Sequence, residues 1–254
     1  MKVVTLMENT TCCDELFCEH GLSLYIETEG HRILFDAGQS AAFADNAAKL
    51  GVDLREVDFA VLSHGHYDHG GGLGRFLEIH KTAPVYVSRY AFEPHYGVNG
   101  YIGLDFSLQA SEQIRYVAEE TILAEGITLY QLNLAPMDTA GLLMEENGLR
   151  KPDDFRHEQY LMIEEKGKRI LISGCSHKGI VQIMDAFRPD ILIGGFHFMK
   201  IAEEAALKAA AEKLLTYDAV YYTGHCTGQK QYDYLKTIMG DRLHYIAAGT
   251  ILEL

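Results

Sequence analysis

The sequence predicts a layered α/β fold, with two β-sheets inside and helices outside. Three observations carry this reading. Short runs of β-branched and aromatic residues, most of them four to six residues long and stopped by Gly or Ser, recur along the chain. Stretches with helical spacing or composition lie between them, the pattern of a layered α/β domain. The N-terminal third reads as hairpins rather than βαβ units, so a simple doubly wound sheet fits less well.

In chain order the strand candidates are Val3–Leu6, Leu22–Glu27, Arg32–Phe35, Phe59–Leu62, Val85–Ser88, Ile127–Leu132, Tyr160–Glu164, Arg169–Ile172, Ile191–Ile193, Ala219–Tyr222 and Leu243–Ala247. Glu29-Gly30 turns the second of these onto the third. The first helix candidate is Ala41–Leu50, with Ser40 as N-cap and Gly51 as stop. Gly72–His80, Leu108–Leu123 and Lys178–Phe187 follow, then Ile201–Leu215, rich in the good helix formers Ala, Glu, Lys and Leu, and Lys230–Met239 with Gly240 behind it. Only 5 Pro occur and no stretch reads as a linker, so one domain is expected over 1–254. Within it the segment 88–123 holds Tyr90, Phe92, His95, Tyr96, Tyr101 and Phe106 among Gly97, Gly100 and Gly103. It reads either as a substrate-covering insertion or as an ordinary packed one.

Charge and composition narrow the class. Against 22 Lys and Arg stand 36 Asp and Glu, a formal charge of −14. Phosphate binding wants clustered cations, so a nucleic-acid partner is not expected. No run approaches the roughly 20 apolar residues of a membrane span. Val3–Met7, with Glu8 close behind, is too short for a secretory core. A cytoplasmic protein acting on a small molecule, with no membrane partner, is the expectation; the oligomeric state is not legible. The 5 Cys are an odd count, read as free thiols or metal ligands rather than bridges, with Cys12, Cys13 and Cys18 as free thiols and Cys226 as packing.

The 12 His are the informative residues. Phe59–Ser63 runs into His64, Arg169–Ser176 into His177, Ile191–Phe196 into His197, and Val220–Gly224 into His225. Four apolar strands thus exit through small residues to a His, and strand ends converge on one edge of a sheet, where ligand sites form. The first exit opens into His64-Gly65-His66-Tyr67-Asp68-His69, followed by Gly70-Gly71-Gly72. Imidazole and carboxylate at this density suit zinc and similar divalent ions.

This H-x-H-x-D-H motif after an apolar strand resembles the signature of the metallo-β-lactamase superfamily, which implies a four-layer αββα sandwich. Ile33-Leu34-Phe35-Asp36-Ala37-Gly38 looks like its early strand ending in Asp-x-Gly. Glu19-His20-Gly21-Leu22-Ser23, Gly174-Cys175-Ser176-His177, Gly194-Gly195-Phe196-His197 and His225-Cys226-Thr227-Gly228 resemble a subgroup of metal-dependent hydrolases related to the dihydropterin–ribofuranosylaminobenzene phosphate synthase. The resemblance implies a first ion on His64, His66 and a third His, with His177 preferred and His157 as rival. It implies a second ion on Asp68, His69 and His225. Cys175 stands where the superfamily carries a bridging Asp, either as a thiolate ligand or as a buried thiol; the second ion is then expected to be the weaker. Asp68 and His197 are the candidate catalytic groups, with His197 outside the usual ligand set and suited to orient substrate or give a proton to a leaving group. Asp36 is expected to hold the loop by hydrogen bonds. Lys178 and Lys200 are candidates for a phosphate or carboxylate. Zinc is the expected ion, with manganese or iron as alternatives. His66 favours zinc, because the diiron reductases of the superfamily carry an acidic residue there. The expected reaction is hydrolysis of a small-molecule ester, a phosphoester first, by metal-activated water. The alternatives are a pterin-related synthase and an iron-dependent redox enzyme.

Overall fold

A computed structural model describes every residue except 137, 138 and 140. Two seven-stranded sheets face each other. The first runs in the order β18 (Ile251–Glu253), β1 (Lys2–Met7), β2 (Ser23–Glu27), β3 (Arg32–Phe35), β4 (Phe59–Val61), β5 (Val85–Ser88), β8 (Ile114–Val117). The second runs β17 (Leu243–Tyr245), β16 (Val220–Thr223), β15 (Ile191–Ile193), β14 (Lys168–Ile172), β13 (Gln159–Glu165), β10 (Ile127–Gln131), β9 (Glu120–Ala124). A small third sheet has the order β12 (Leu149–Pro152), β11 (Leu143–Glu146), β6 (His95–Gly97), β7 (Gly100–Tyr101).

Side-chain alternation along the strands builds the layers. Ile33, Phe35, Phe59 and Val61 of the first sheet meet Leu161, Ile163, Ile170, Ile172, Ile191 and Ile193 of the second in one buried cluster. The intervening residues turn outward. Leu34 and Ala60 pack under Phe43 and Ala47 of α1 (Ala42–Lys49) and Phe76 of α3 (Leu73–Ile79), with α2 (Tyr67–Gly70) between those helices in sequence. Tyr160, Met162, Leu171 and Leu192 pack under α4 (Ile180–Phe187), α5 (Glu204–Leu214) and α6 (Gln229–Met239). The result is the expected αββα sandwich.

The two sheets share a plan. Antiparallel pairs join β1–β2–β3 and β9–β10–β13–β14, and parallel pairs continue β3–β4–β5 and β14–β15–β16–β17. The carboxyl ends of the parallel strands therefore gather at one edge, where every strand-exit His is found. All eleven strand candidates form. The first helix starts one residue later than expected, with Ala41 rather than Ser40 as its N-cap, and Ser40 Oγ accepts the Ala42 amide at 3.1 Å.

The helix expected over Leu108–Leu123 is wrong. Phe106–Ala110 makes one 3-10 turn, then β8 and β9 follow. β8 pairs parallel with β5 and β9 antiparallel with β10, so the segment completes both sheets. Ile114 and Val117 are buried by that pairing, and the tertiary contact overrides a helical spacing with little intrinsic preference behind it. Of the segment 88–123, only the hairpin β6–β7 and its flanks stand at the site.

Candidate metal centre

The site is built outward from Asp36, at the end of β3. Its backbone takes φ +60°, a left-handed conformation that aims the carboxylate at the neighbouring strand exit. Asp36 Oδ1 accepts the Ser63 amide at 2.7 Å, and Oδ2 accepts the Ser63 hydroxyl at 2.7 Å and His69 Nδ1 at 2.6 Å. Ser63 Oγ, its hydrogen given to Asp36, accepts His64 Nδ1 at 2.8 Å. Both rings therefore carry their proton on Nδ1 and turn Nε2 to the cleft, the usual arrangement behind a ligating imidazole. Gly65 is required between them, because a Cβ there would lie 2.1 Å from the Ala91 carbonyl oxygen. Asp68 and His69 sit on the single turn of α2.

The later strands bring the other donors. His225 Nδ1 donates to Asn9 Oδ1 at 2.9 Å, which leaves its Nε2 bare. The amides of His177 and Lys178 donate to Glu158 at 2.7 and 3.0 Å, and the His177 ring stacks on Phe155 with centroids 4.2 Å apart. Ser176, His197 and His225 all take positive φ at their strand exits, a strain that surrounding structure must hold.

The nitrogens converge. His64 Nε2 and His177 Nε2 are 3.3 Å apart, and His69 Nε2 and His225 Nε2 3.1 Å. Asp68 Oδ2 lies 3.3 Å from His225 Nε2, and Cys175 Sγ 3.2 Å from His69 Nε2. Two imidazole nitrogens held this close need either a shared proton or a cation between them. Two nitrogens bound tetrahedrally at 2.0–2.1 Å stand about 3.3 Å apart, the spacing found here. Burial holds His64, His66 and His177 well below the ordinary imidazole range and His225 down to about 4, so these rings are neutral, the form that a metal ion requires. His69 differs: burial opposes its charge, but the carboxylates of Asp36 and Asp68 outweigh that and raise it. Burial opposes the Asp68 charge, yet His69, His20 and His225 together hold that carboxyl well below its usual range. The donor set fits divalent ions of the zinc type.

Five groups of donors emerge among the described residues: His64/His66/His177 and His20/Asp68/His225, the linking sets His64/His69/Cys175 and Cys175/His225/Cys226, and His66/His95/Asp153/His157 behind the loop. His177 groups with His64 and His66, whereas His157 groups with His66, His95 and Asp153. His157 instead accepts the Gly65 amide through Nδ1 at 2.8 Å. Cys175 is buried within ligand distance of His64 and His69 on one side and His225 on the other, and burial pushes its thiol well up. His197 is half-buried at the cleft, its ring centroid 4.4 Å from that of His177. Lys200 lines the same cleft, of about 400 Å³. Lys178 does not: it is buried, and its Nζ donates to the carbonyls of Leu134 and Asp154 at 2.6 and 2.5 Å.

Sequence reasoning assigned no role to His20, whose Nε2 lies 3.2 Å from Asp68 Oδ2, nor to Asn9 behind His225. The Glu19-His20-Gly21 motif was the available signal for His20. Glu19 holds that loop by accepting from the Ser40 amide and hydroxyl, each at 3.0 Å. Among the described residues, no helix is long and apolar enough to cross a membrane.

The profile of the metallo-beta-lactamase superfamily matches residues 16–225. A 7,8-dihydropterin-6-methyl-4-(beta-D-ribofuranosyl)-aminobenzene-5'-phosphate synthase of Methanocaldococcus jannaschii is 29% identical, the match spanning 100% of this chain and 96% of the relative. An uncharacterized protein of the same organism is also 29% identical, over 90% of this chain and 91% of its own. Among solved structures, a metal-dependent hydrolase of the beta-lactamase superfamily superposes with TM-score 0.86 at 27% identity, covering 100% of this chain and 99% of the other. Zn(2+)-bound PqqB from Methylobacterium extorquens shares the fold at TM-score 0.64 and 14% identity, with 100% of both chains covered. Sequence, fold and converging strand-exit histidines agree, and the chain belongs to the metallo-beta-lactamase superfamily.

Proposed function

We propose that the protein is a metal-dependent hydrolase of a small-molecule ester, a phosphoester first, working with zinc. The observation that supports the reading is the pairing of imidazole Nε2 atoms at 3.1–3.3 Å beside a cleft that His66, Asp68, Cys175 and His177 line. His64, His66 and His177 would hold the first ion; Asp68, His69 and His225 the second, with His20 beside Asp68 and Cys175 between the two. When bound, such ions supply an acidified water and neutralise charge that develops on the substrate. The chain supplies the rest. Asp36 and Ser63 keep the two loop rings in their ligating tautomers. Asp68, held ionised, accepts from His20 Nε2 and orients that ring, while Asn9 orients His225. Lys200 offers a cation at the cleft for an anionic group, and His197 stands where it can give a proton to a leaving oxygen. A small molecule is the fitting partner for a cleft of this size.

A pterin-related synthase is the second reading, favoured by the 29% identity to the methanogen synthase over its full length. An iron-dependent redox enzyme is the third. The test is a panel of nitrophenyl phosphodiesters, phosphomonoesters and carboxyl esters, with the protein stripped by chelator and reloaded with zinc, manganese or iron. Hydrolysis that chelator abolishes and zinc or manganese restores supports the proposal. Inactivity across the panel at full metal loading contradicts it and turns to the synthase or to redox chemistry; hydrolysis restored by iron alone keeps the reaction and overturns zinc as the metal.

A further inference from the structure

The metal-facing loop shares His66 with a second group of side chains, the other three of which the reading above leaves unused. His66, His95, Asp153 and His157 are buried, and their donor atoms lie within 4.8 Å of one another. Asp153 is the hub. Its Oδ1 accepts the Phe155 amide at 2.8 Å, its Oδ2 accepts His95 Nδ1 at 2.7 Å, and His157 Nε2 lies 3.5 Å from the same oxygen. His157 Nδ1 accepts the amide of Gly65, the residue between His64 and His66.

These partners fix the tautomers. His157 accepts through Nδ1, so its proton is on Nε2. His95 donates through Nδ1, so its Nε2 is bare. The Nε2 atoms of His66 and His95 are both buried without a partner, on rings with centroids 5.4 Å apart. A cation inside this box would find no lone pair on His157, whose Nε2 carries a proton, and would compete with the two donors that Asp153 already holds. A hydrogen bond needs only what is there. An imidazole that gives one nitrogen to an ion keeps its proton on the other. With His66 facing the cleft, its outer nitrogen becomes a buried donor, and the bare His95 Nε2 is the acceptor beside it.

We infer that His95 accepts the outer N–H of His66, directly or through one bridging water, with Asp153 behind it, and thereby locks the small sheet to the metal-facing loop. The inference rests on the proposed role of His66 as a ligand. His95 begins β6, and the hairpin that follows lines the cleft through Val98, Asn99 and Tyr101. Asp153 directly follows β12 of the same sheet. The sheet that walls the cleft therefore carries the ring that positions His66. By linkage, seating the first ion and docking the sheet favour each other. His95 is a positioning residue: it acts on the ion only through His66.

His95→Phe keeps an aromatic ring and removes the acceptor; His95→Gln restores an acceptor oxygen. Zinc affinity is measured for both by competition with a chromophoric chelator, alongside the Tm of each metal-free protein. The Phe variant is expected to hold the first ion about 10–100-fold more weakly, and the Gln variant to recover most of that loss. In the wild type, zinc should slow proteolysis within Gly97–Tyr101; in the Phe variant it should not. Should the Phe variant fail to fold, His95→Ala takes its place with the same expectation. Unchanged zinc affinity in the variant lacking the acceptor overturns the inference, and so does an equal loss in the Gln variant, which would mark a purely structural residue. A third zinc equivalent in the wild type, lost in the Phe variant, would also overturn it and make the box an ion site. If His64→Ala/His66→Ala leaves zinc binding intact, the metal reading itself has failed. If that double variant loses the first ion while His95→Phe binds like the wild type, only this inference has.

Discussion

The two halves of the sandwich reach the same edge by different means. From the first sheet, four donors arrive within six residues, and one buried carboxylate, Asp36, orients two of their rings, His69 directly and His64 through Ser63. From the second sheet, donors arrive from three strand exits, Cys175 and His177 from one and His197 and His225 from one each, and the partners that hold His177 and His225 differ. Asn9 turns His225, Phe155 stacks on His177, and Glu158 takes the His177 and Lys178 amides. Glu158 itself receives the Tyr160 hydroxyl. A concentrated motif with a single anchor is rigid, and damage to the anchor affects everything it holds. A dispersed set fails one member at a time.

The largest effect should therefore come from Asp36. Asp36→Ala removes the acceptor of the Ser63 amide and hydroxyl and of His69 Nδ1, freeing the rings of His64 and His69 together. Both ions should bind about 10–100-fold more weakly, and stranding the buried Ser63 amide should cost about 1–3 kcal/mol of stability. Metal titration and chemical denaturation read the two effects. Loss confined to one ion would break the idea of a shared anchor.

Next is pH. His69 is raised above the ordinary imidazole value of about 6.5 by Asp36 and Asp68 despite its burial. An ion at His69 must displace that proton, so apparent affinity at the second site should fall as pH drops through the raised value and level off above it. His64, His66 and His177 are depressed by burial and should leave the first site nearly insensitive over the same window. Calorimetric metal titrations at pH 6 and 8 would show it; equal pH slopes for both ions would contradict it.

Cys175 sharpens the comparison from the other side. A thiol cannot share two oxygens between two ions, and burial keeps this one protonated in the metal-free chain. Cys175→Asp should raise second-site affinity by about tenfold, read by the same titration. A second site left unchanged, or lost, would count against a bridging position. The smallest effect is expected at Asn9. Asn9→Ala should weaken the second ion by no more than about tenfold and leave the first alone, the reverse of Asp36→Ala. A loss of the first ion in that variant would show that the second half is not dispersed after all.

The fold was legible because its eleven principal strands are dense in buried Ile, Leu and Val, which alternate between two cores. The strands that went unread are short edge or small-sheet strands with largely exposed sequences, such as Leu149–Pro152, whose pairing comes from neighbours rather than composition. The H-x-H-x-D-H loop was legible because its chemistry is local. The choice between His177 and His157 was not, since it depends on where a ring turns: His157 spends Nδ1 on the Gly65 amide. His20 escaped for a related reason. It is 48 residues from Asp68 in sequence and reaches it only because the Leu22 amide bonds the Asp68 carbonyl and brings the two loops together.

Counting ions by native mass spectrometry tests the central claim most directly. Demetallated wild type should take up two zinc equivalents, the first tightly and the second more weakly, and His64→Ala/His66→Ala should lose the tight one. A wild type that binds no zinc, or a double variant with the full wild-type complement, would contradict the assignment of the strand-exit histidines to a two-ion centre.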